Sequence, residues 1–297
     1  MDGFSFVGTG EILALASGLS YTIALIALRQ GFRSGSPLAG VLVGNIIVSL
    51  AGLTAAFFLG TLQKAAPPAI LWFMLGGCLS QGLGHLVSFV GIERLGVSRA
   101  VPVQASAPIW GVLFAVAFLA ERPGVAVWLG TVLIVAGLMV ISRVIAEEES
   151  SSENLSRGAL IFPITASLFY AIGPVAAKTG FAHQATPMVA IGFAFGVSIP
   201  LLLLVKPLLP GGGVIRADAR ALRWFVLAGV STTAAAGCFW SALAIANVST
   251  VLPLSRMTPL WVAIFSYLFL GHLERVTPLT FLAAGLVVLG GTLIMSA

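Results

Sequence analysis

Arg256 lies eight residues into an apolar run, 248–270, that is long enough to cross a bilayer. By helical rise it would sit ~12 Å deep, and that run holds no acidic residue to neutralise it. A guanidinium at such depth is costly unless something pairs with it, and its fixed fork of donors matches a carboxylate. Pro253 and Pro259 bracket Arg256, as Pro102 and Pro108 bracket Gln104 in an earlier apolar run. Each proline removes a backbone donor and clashes with the preceding turn, so each pair should kink its helix and free carbonyls. Two readings of Arg256 follow: it draws an anionic group of a solute into a cavity, or it bonds those freed carbonyls and holds the kink in place.

Other polar side chains recur within apolar segments. Gln81, His85 and Ser88 are spaced by four and three, which places them on one face of a helix. His85 could bind solute or carry a proton, since its charge changes near neutral pH, or it could simply bond a neighbouring helix. Asn45 and Ser49 form a smaller patch. Tyr21 and Tyr170, Trp110 and Trp261, and the single Trp240 are aromatic candidates for a cavity wall. Rings of this kind stack on a flat or apolar solute, and they also serve as ordinary packing or as lipid anchors.

The charges exclude as much as they suggest. Every acidic residue (Asp2, Glu11, Glu93, Glu121, Glu147, Glu148, Glu149, Glu153, Asp218, Glu274) falls in a loop, a tail or a span end. No deep carboxylate is therefore available for proton or sodium coupling of the common kind. His85, His183 and His272 belong to different regions, no H-E-x-x-H motif occurs, and Cys78 and Cys238 have neither disulfide nor metal-ligand spacing. No metal and no cofactor is expected, and an intramembrane enzyme ranks below a carrier, with a channel-like or structural bundle between them.

The elements that must position these residues are long helices. Of 297 residues, 59% are hydrophobic and 8% charged, against roughly 25% charged in a soluble domain. Crossing a hydrocarbon core takes roughly 20 apolar residues as helix, and ten segments qualify: 11–30, 38–60, 69–92, 100–119, 125–142, 158–178, 188–205, 222–246, 248–270 and 277–296. The fold class is thus an all-α integral membrane protein. The amino terminus lacks a basic start and a cleavage site, so a mature inserted chain is expected.

The second half repeats the first. Tyr21–Phe32 matches Tyr170–Phe181, Val97–Trp110 matches Val248–Trp261, and Glu121-Arg122 matches Glu274-Arg275, at offsets of 149, 151 and 153. Residues 1–146 and 158–297 are then two five-helix repeats joined by a polar linker, 147–157. Five is odd, so the second repeat enters the membrane in the opposite direction, the inverted arrangement from which many carriers derive alternating access. The Glu-Arg pairs read as fixing a turn or an interface, and Gly40 with Gly44, four apart, as close helix packing rather than dimerisation.

Paired five-span halves, each with a P-x5-P-[IL]-W segment followed by Glu-Arg, resemble the EamA-type branch of the drug/metabolite transporter superfamily, over nearly the whole chain. The resemblance implies ten helices around a central cavity and transport of a small metabolite, such as an amino acid or another zwitterionic or anionic solute, with export the favoured direction. It names no particular cargo. The expected partners are a small-molecule solute and membrane lipids, no nucleic acid, with a homodimer left open.

The expected location is the plasma (inner) membrane. Counting Lys and Arg by alternate loops puts Lys64, Arg122 and Lys178 on the side of the termini. Opposite them lie Arg29, Arg33, Arg94, Arg99, Arg143, Arg157, Lys206, Arg216, Arg220, Arg223 and Arg275. Three against eleven, by the positive-inside rule, places both termini outside.

Overall fold

A computed structural model describes residues 8–147, 157–209, 213–258, 260–261 and 278–297. The chain is an all-α membrane protein of ten spans in two five-helix repeats. The first repeat comprises α1 (Thr9–Gly31), α2 (Pro37–Phe58), α3 (Pro67–Gly77), α4 (His85–Leu95), α5 (Val97–Gln104), α6 (Ala107–Leu119) and α7 (Val125–Glu147). The second comprises α8 (Ile161–His183), α9 (Pro187–Val205), α10 (Ala219–Ile245), α11 (Val248–Ser255) and α12 (Pro278–Met295). The ninth span continues from α11 into residues that are largely outside the described set, with Pro259, His272 and the Glu274-Arg275 pair among them.

Helix ends differ from the expected apolar limits by a few residues, and polar caps set two of the starts. The Ser36 side chain accepts from Ala39 N–H at the start of α2, and Asp218 accepts from Ala221 N–H at 2.6 Å at the start of α10. The same two residues join these helix starts: Ser36 Oγ also accepts from Arg216 N–H (3.0 Å), and Ser34 donates to Asp218 (2.9 Å). α8 runs to His183, five residues beyond the expected end at Lys178. The third span is not one regular helix either. Between α3 and α4 the residues Cys78–Gly84 form a π-helical segment.

Helices of the two repeats interleave. α1 packs on α10, α3 on α8, α2 on α9, α6 on α11 and α7 on α12. Exchanging the repeats converts the first pair into the second and maps each of the others onto itself, which is what a pseudo-two-fold axis requires. Small residues allow the closest crossings: a Cβ on Gly130 would lie 2.5 Å from Gly290 O, and one on Gly52 2.7 Å from Gly192 N. Gly40 faces Phe32 and Phe225 inside the bundle. Large side chains such as Leu50, Phe58, Leu71, Phe118 and Leu204 stand exposed around the outside, as lipid contact requires of a protein whose solvent is as apolar as its core.

Candidate functional site

Both proline-bracketed spans are broken rather than bent. α5 ends at Gln104 and α6 begins at Ala107, with Pro102 retained inside α5 and Pro108 in the first turn of α6. α11 ends at Ser255 with Pro253 inside it. The kink expected at the prolines is therefore a discontinuity between them, at Ala105-Ser106 and at Arg256-Met257, and these are the matched positions of the repeat. A proline is tolerated within one short helix or at the start of the next, so the helix gives way between them.

Arg256 caps α11 from this break. Its guanidinium carbon stands 5.3 Å from the centroid of the Tyr170 ring, a cation–π contact. Among the described residues the guanidinium has no hydrogen bond and no ion pair, so the reading in which freed carbonyls satisfy it finds no bond to support it. The break is held to α1 instead: Thr22 Oγ1 lies 2.9 Å from Gly18 O and 3.4 Å from Thr258 O.

The space beside the break is a cavity of about 510 Å³. The structure brings Tyr21, Asn45, Gln81, His85, Gln104, Tyr170, Trp240 and Arg256 together in its wall. Trp110 and Trp261 are not in the described lining; both are half-buried, and Trp261 Nε1 lies beside Gly18 of α1, 3.6 Å from where a Cβ there would stand. Trp240 has a packing duty as well, buried edge-on against Phe73 (6.5 Å) and Phe181 (6.2 Å).

The polar stripe on the third span divides its work. Ser88 donates to Gln104 Oε1 at 3.0 Å, tying α4 to α5, while Gln104 Nε2 is buried without a partner among the described residues. His85 Nδ1 lies 3.0 Å from Gln81 O, and its ring meets Tyr170 edge-on at 5.7 Å. Donation from Nδ1 would leave Nε2 as an acceptor. Gln81 belongs to the π-helical segment, whose wider turn re-aims side chains in a way common at functional sites. Asn45 donates to Ser198 (2.8 Å) and Ser49 to Gly192 O (2.8 Å), so that patch chiefly joins α2 to α9.

Ser17, Ser80, Thr232, Ser255 and Thr258 also line the cavity, and sequence reasoning passed over them. Small hydroxyls bond their own helix backbone, as Ser80 does to Gly76 O at 2.8 Å, so their presence in a span signals little. Only Ser255 and Thr258, flanking Arg256 between two prolines, carried a readable signal.

The lining of the cavity extends toward one face. It reaches Leu28, within a turn of the end of α1, and Gly40, within a turn of the start of α2. The opposite face is fastened. Glu121 accepts from Val248 N–H (2.8 Å) and Ser249 N–H (3.0 Å) at the start of α11, and Lys178 donates to Leu243 O (2.8 Å) and Ala246 O (2.7 Å) at the end of α10. An anion at a helix N-terminus and a cation at a C-terminus each complement the backbone dipoles. Gln184 makes a similar tie on that face, accepting from Ala66 N–H (2.6 Å) and donating to Lys64 O (3.0 Å). Among the described residues no three His, Cys, Asp or Glu side chains gather as a metal ion would need.

The model of the EamA-like transporter family matches residues 8–143 and 157–296. RbsU of Latilactobacillus sakei subsp. sakei (strain 23K), named as a ribose uptake protein, is 24% identical over 185 residues, 59% of this chain and 61% of that protein. The chain thus spans less than two thirds of the length of this relative. A crystal structure superposes with a TM-score of 0.77, covering 96% of this chain and 95% of the other at 16% identity, a likeness of fold.

Proposed function

The chain belongs to the EamA-like transporter family, and from that premise we propose that it moves a small anionic or zwitterionic metabolite across the plasma membrane by alternating access, binding it at Arg256. The observation that carries this is the Arg256 guanidinium at a helix break, without a hydrogen bond or ion pair among the described residues, in the wall of a cavity whose lining extends toward one face while the other is fastened by Glu121 and Lys178. An inverted repeat supplies the second state, in which the roles of the two faces exchange. The Lys and Arg bias supports placing the face toward which the lining extends in the cytoplasm, where a solute for export would load. A carboxyl-terminal reporter active only in the cytoplasm would reverse that assignment.

A second reading is a neutral sugar. The relative named for ribose uptake favours it, as do the amide side chains Asn45, Gln81 and Gln104 in the wall. Proteoliposomes separate the cases. A carrier saturates and shows counterflow of labelled solute; a channel shows no counterflow. Arg256→Ala should lower transport of an anionic or zwitterionic solute while leaving the protein folded. Wild-type uptake by that variant would defeat the Arg256 reading and favour the sugar.

A further inference from the structure

The charge around the cavity is one-sided. Among the described lining residues Arg256 is the one formal charge, with no Asp, Glu or Lys beside it. Two donors of the wall have no acceptor among the described residues: the guanidinium of Arg256 and the buried amide Nε2 of Gln104. A buried donor without an acceptor, as Gln104 Nε2 is, is unfavourable, and the half-buried guanidinium beside it is free to bond, so both can take acceptor atoms brought by a ligand. Tyr170 lies against the guanidinium, and a planar fork held in this way suits a planar two-oxygen acceptor better than a point charge would.

An ammonium group has no such welcome. No carboxylate of the described wall could pair with it, and Arg256 would repel it throughout a site sheltered from water. Beside its hydroxyls and amides the lining has a large apolar and aromatic share, including Leu25, Val101, Leu138, Phe195 and Phe239. That suits a solute whose remaining body is itself apolar, and the volume of about 510 Å³ accommodates one of small-metabolite size.

We propose that the cavity selects a monoanionic organic acid, one carboxylate on an apolar or aromatic body, and discriminates against the corresponding amino acid. Resting on the reading of this cavity as the solute site, the proposal narrows that reading from anion or zwitterion to anion. Arg256 takes the carboxylate, Gln104 Nε2 supplies a further donor, and the aromatic wall takes the body.

The test is a charge series on one body: 3-phenylpropionate, phenylalanine, phenethylamine and 2-phenylethanol, titrated against the purified protein in nanodiscs by calorimetry. A parallel series uses hexanoate, norleucine, hexylamine and 1-hexanol, and ribose is included as a neutral sugar. The expected result is binding of the monoanion at least about tenfold tighter than the other members of its series, a preference that R256Q removes. Q104L should weaken the monoanion while leaving the neutral alcohol unchanged. Amino acid bound as tightly as the acid, with R256Q weakening both, overturns the selectivity and leaves the site in place. Failure of both monoanions to bind overturns the proposal. Binding of every probe that survives both R256Q and W240A places the ligand elsewhere and overturns the reading of the cavity itself. Ribose bound tightly and independently of Arg256 replaces the anion with a sugar.

Discussion

Glu121 provides a perturbation whose size follows from geometry. Its carboxylate accepts from two amides, Val248 N–H at 2.8 Å and Ser249 N–H at 3.0 Å. These are orphan donors at the start of α11, an eight-residue helix that ends at Ser255 and is capped by Arg256. A bond to a charged acceptor is worth roughly 1.5–3 kcal/mol, and losing a helix cap about 0.5–2 kcal/mol. Glu121 is half-buried, so solvent takes part of that value, and Glu121→Ala should cost about 2 kcal/mol of local stability. At 1.4 kcal/mol per decade this is about 30-fold in the opening equilibrium of the corner. Glu121→Gln keeps one acceptor oxygen without the charge and should cost about half as much, or roughly fivefold.

Amide hydrogen exchange in nanodiscs reads this directly, since local opening sets the exchange rate. Val248 and Ser249 should exchange about 30-fold faster in Glu121→Ala than in wild type. The amide of Ala221, bonded to Asp218 at the other face, should stay unchanged. Unaltered exchange at Val248 and Ser249, with the variant otherwise folded, would refute the claim that Glu121 fastens this face. A change spread equally over Ala221 would show general loosening instead.

Two further outcomes test packing and charge. Gly290→Val places a side chain against backbone, because a Cβ on Gly290 would already lie 2.5 Å from Gly130 O; it should destabilise the α7–α12 crossing by about 1–3 kcal/mol, read as a lowered melting temperature. Asp218 has its carboxyl held below the usual carboxylate range, chiefly by the Ala221 N–H it accepts and then by the Ser34 hydroxyl. Its folded pKa is depressed, so its stabilising contribution is present above the unfolded value of about 3.9 and fades as pH falls through the lower folded value. Melting followed down through pH 4 should lose a component in wild type that Asp218→Asn lacks.

Much of the fold was legible because the bilayer enforces it: apolar runs of spanning length have few alternatives to helices, and the repeat shows through shared polar residues. The same cost of polarity in lipid drew attention to Arg256, His85, Gln81, Gln104, Tyr21 and Tyr170, which the structure gathers around one space. The π-helical segment Cys78–Gly84 was not legible, since an apolar run does not record whether its turns are regular. Nor were the ties made by Glu121 and Lys178, which join residues 127 and 65 positions apart at span ends that local patterns do not connect. Aromatic residues are ambiguous for a related reason. Trp110 and Trp261 match across the repeat, yet a ring is stable in a core, at lipid or in a cavity, so symmetry alone could not say where they stand.

The repeat also makes a prediction about Ala105. Ala105 and Arg256 hold matched positions, each caps a short proline-containing helix, and both line the same cavity. If the duplicated breaks supply the geometry and the guanidinium supplies the recognition, the charge should be movable from one break to the other. Arg256→Ala should lose anion affinity by about tenfold or more, and the double variant Ala105→Arg/Arg256→Ala should recover at least part of that loss. The side chain added at Ala105 enters a half-buried position that already faces the cavity, so room exists for it, and the wall donors of Gln104 lie in the preceding residue. A double variant that folds, retains the cavity and still binds no better than Arg256→Ala would show that recognition depends on the particular setting of Arg256 against Tyr170, not on a cation at a break. The function would then reside in the asymmetry of the second half alone.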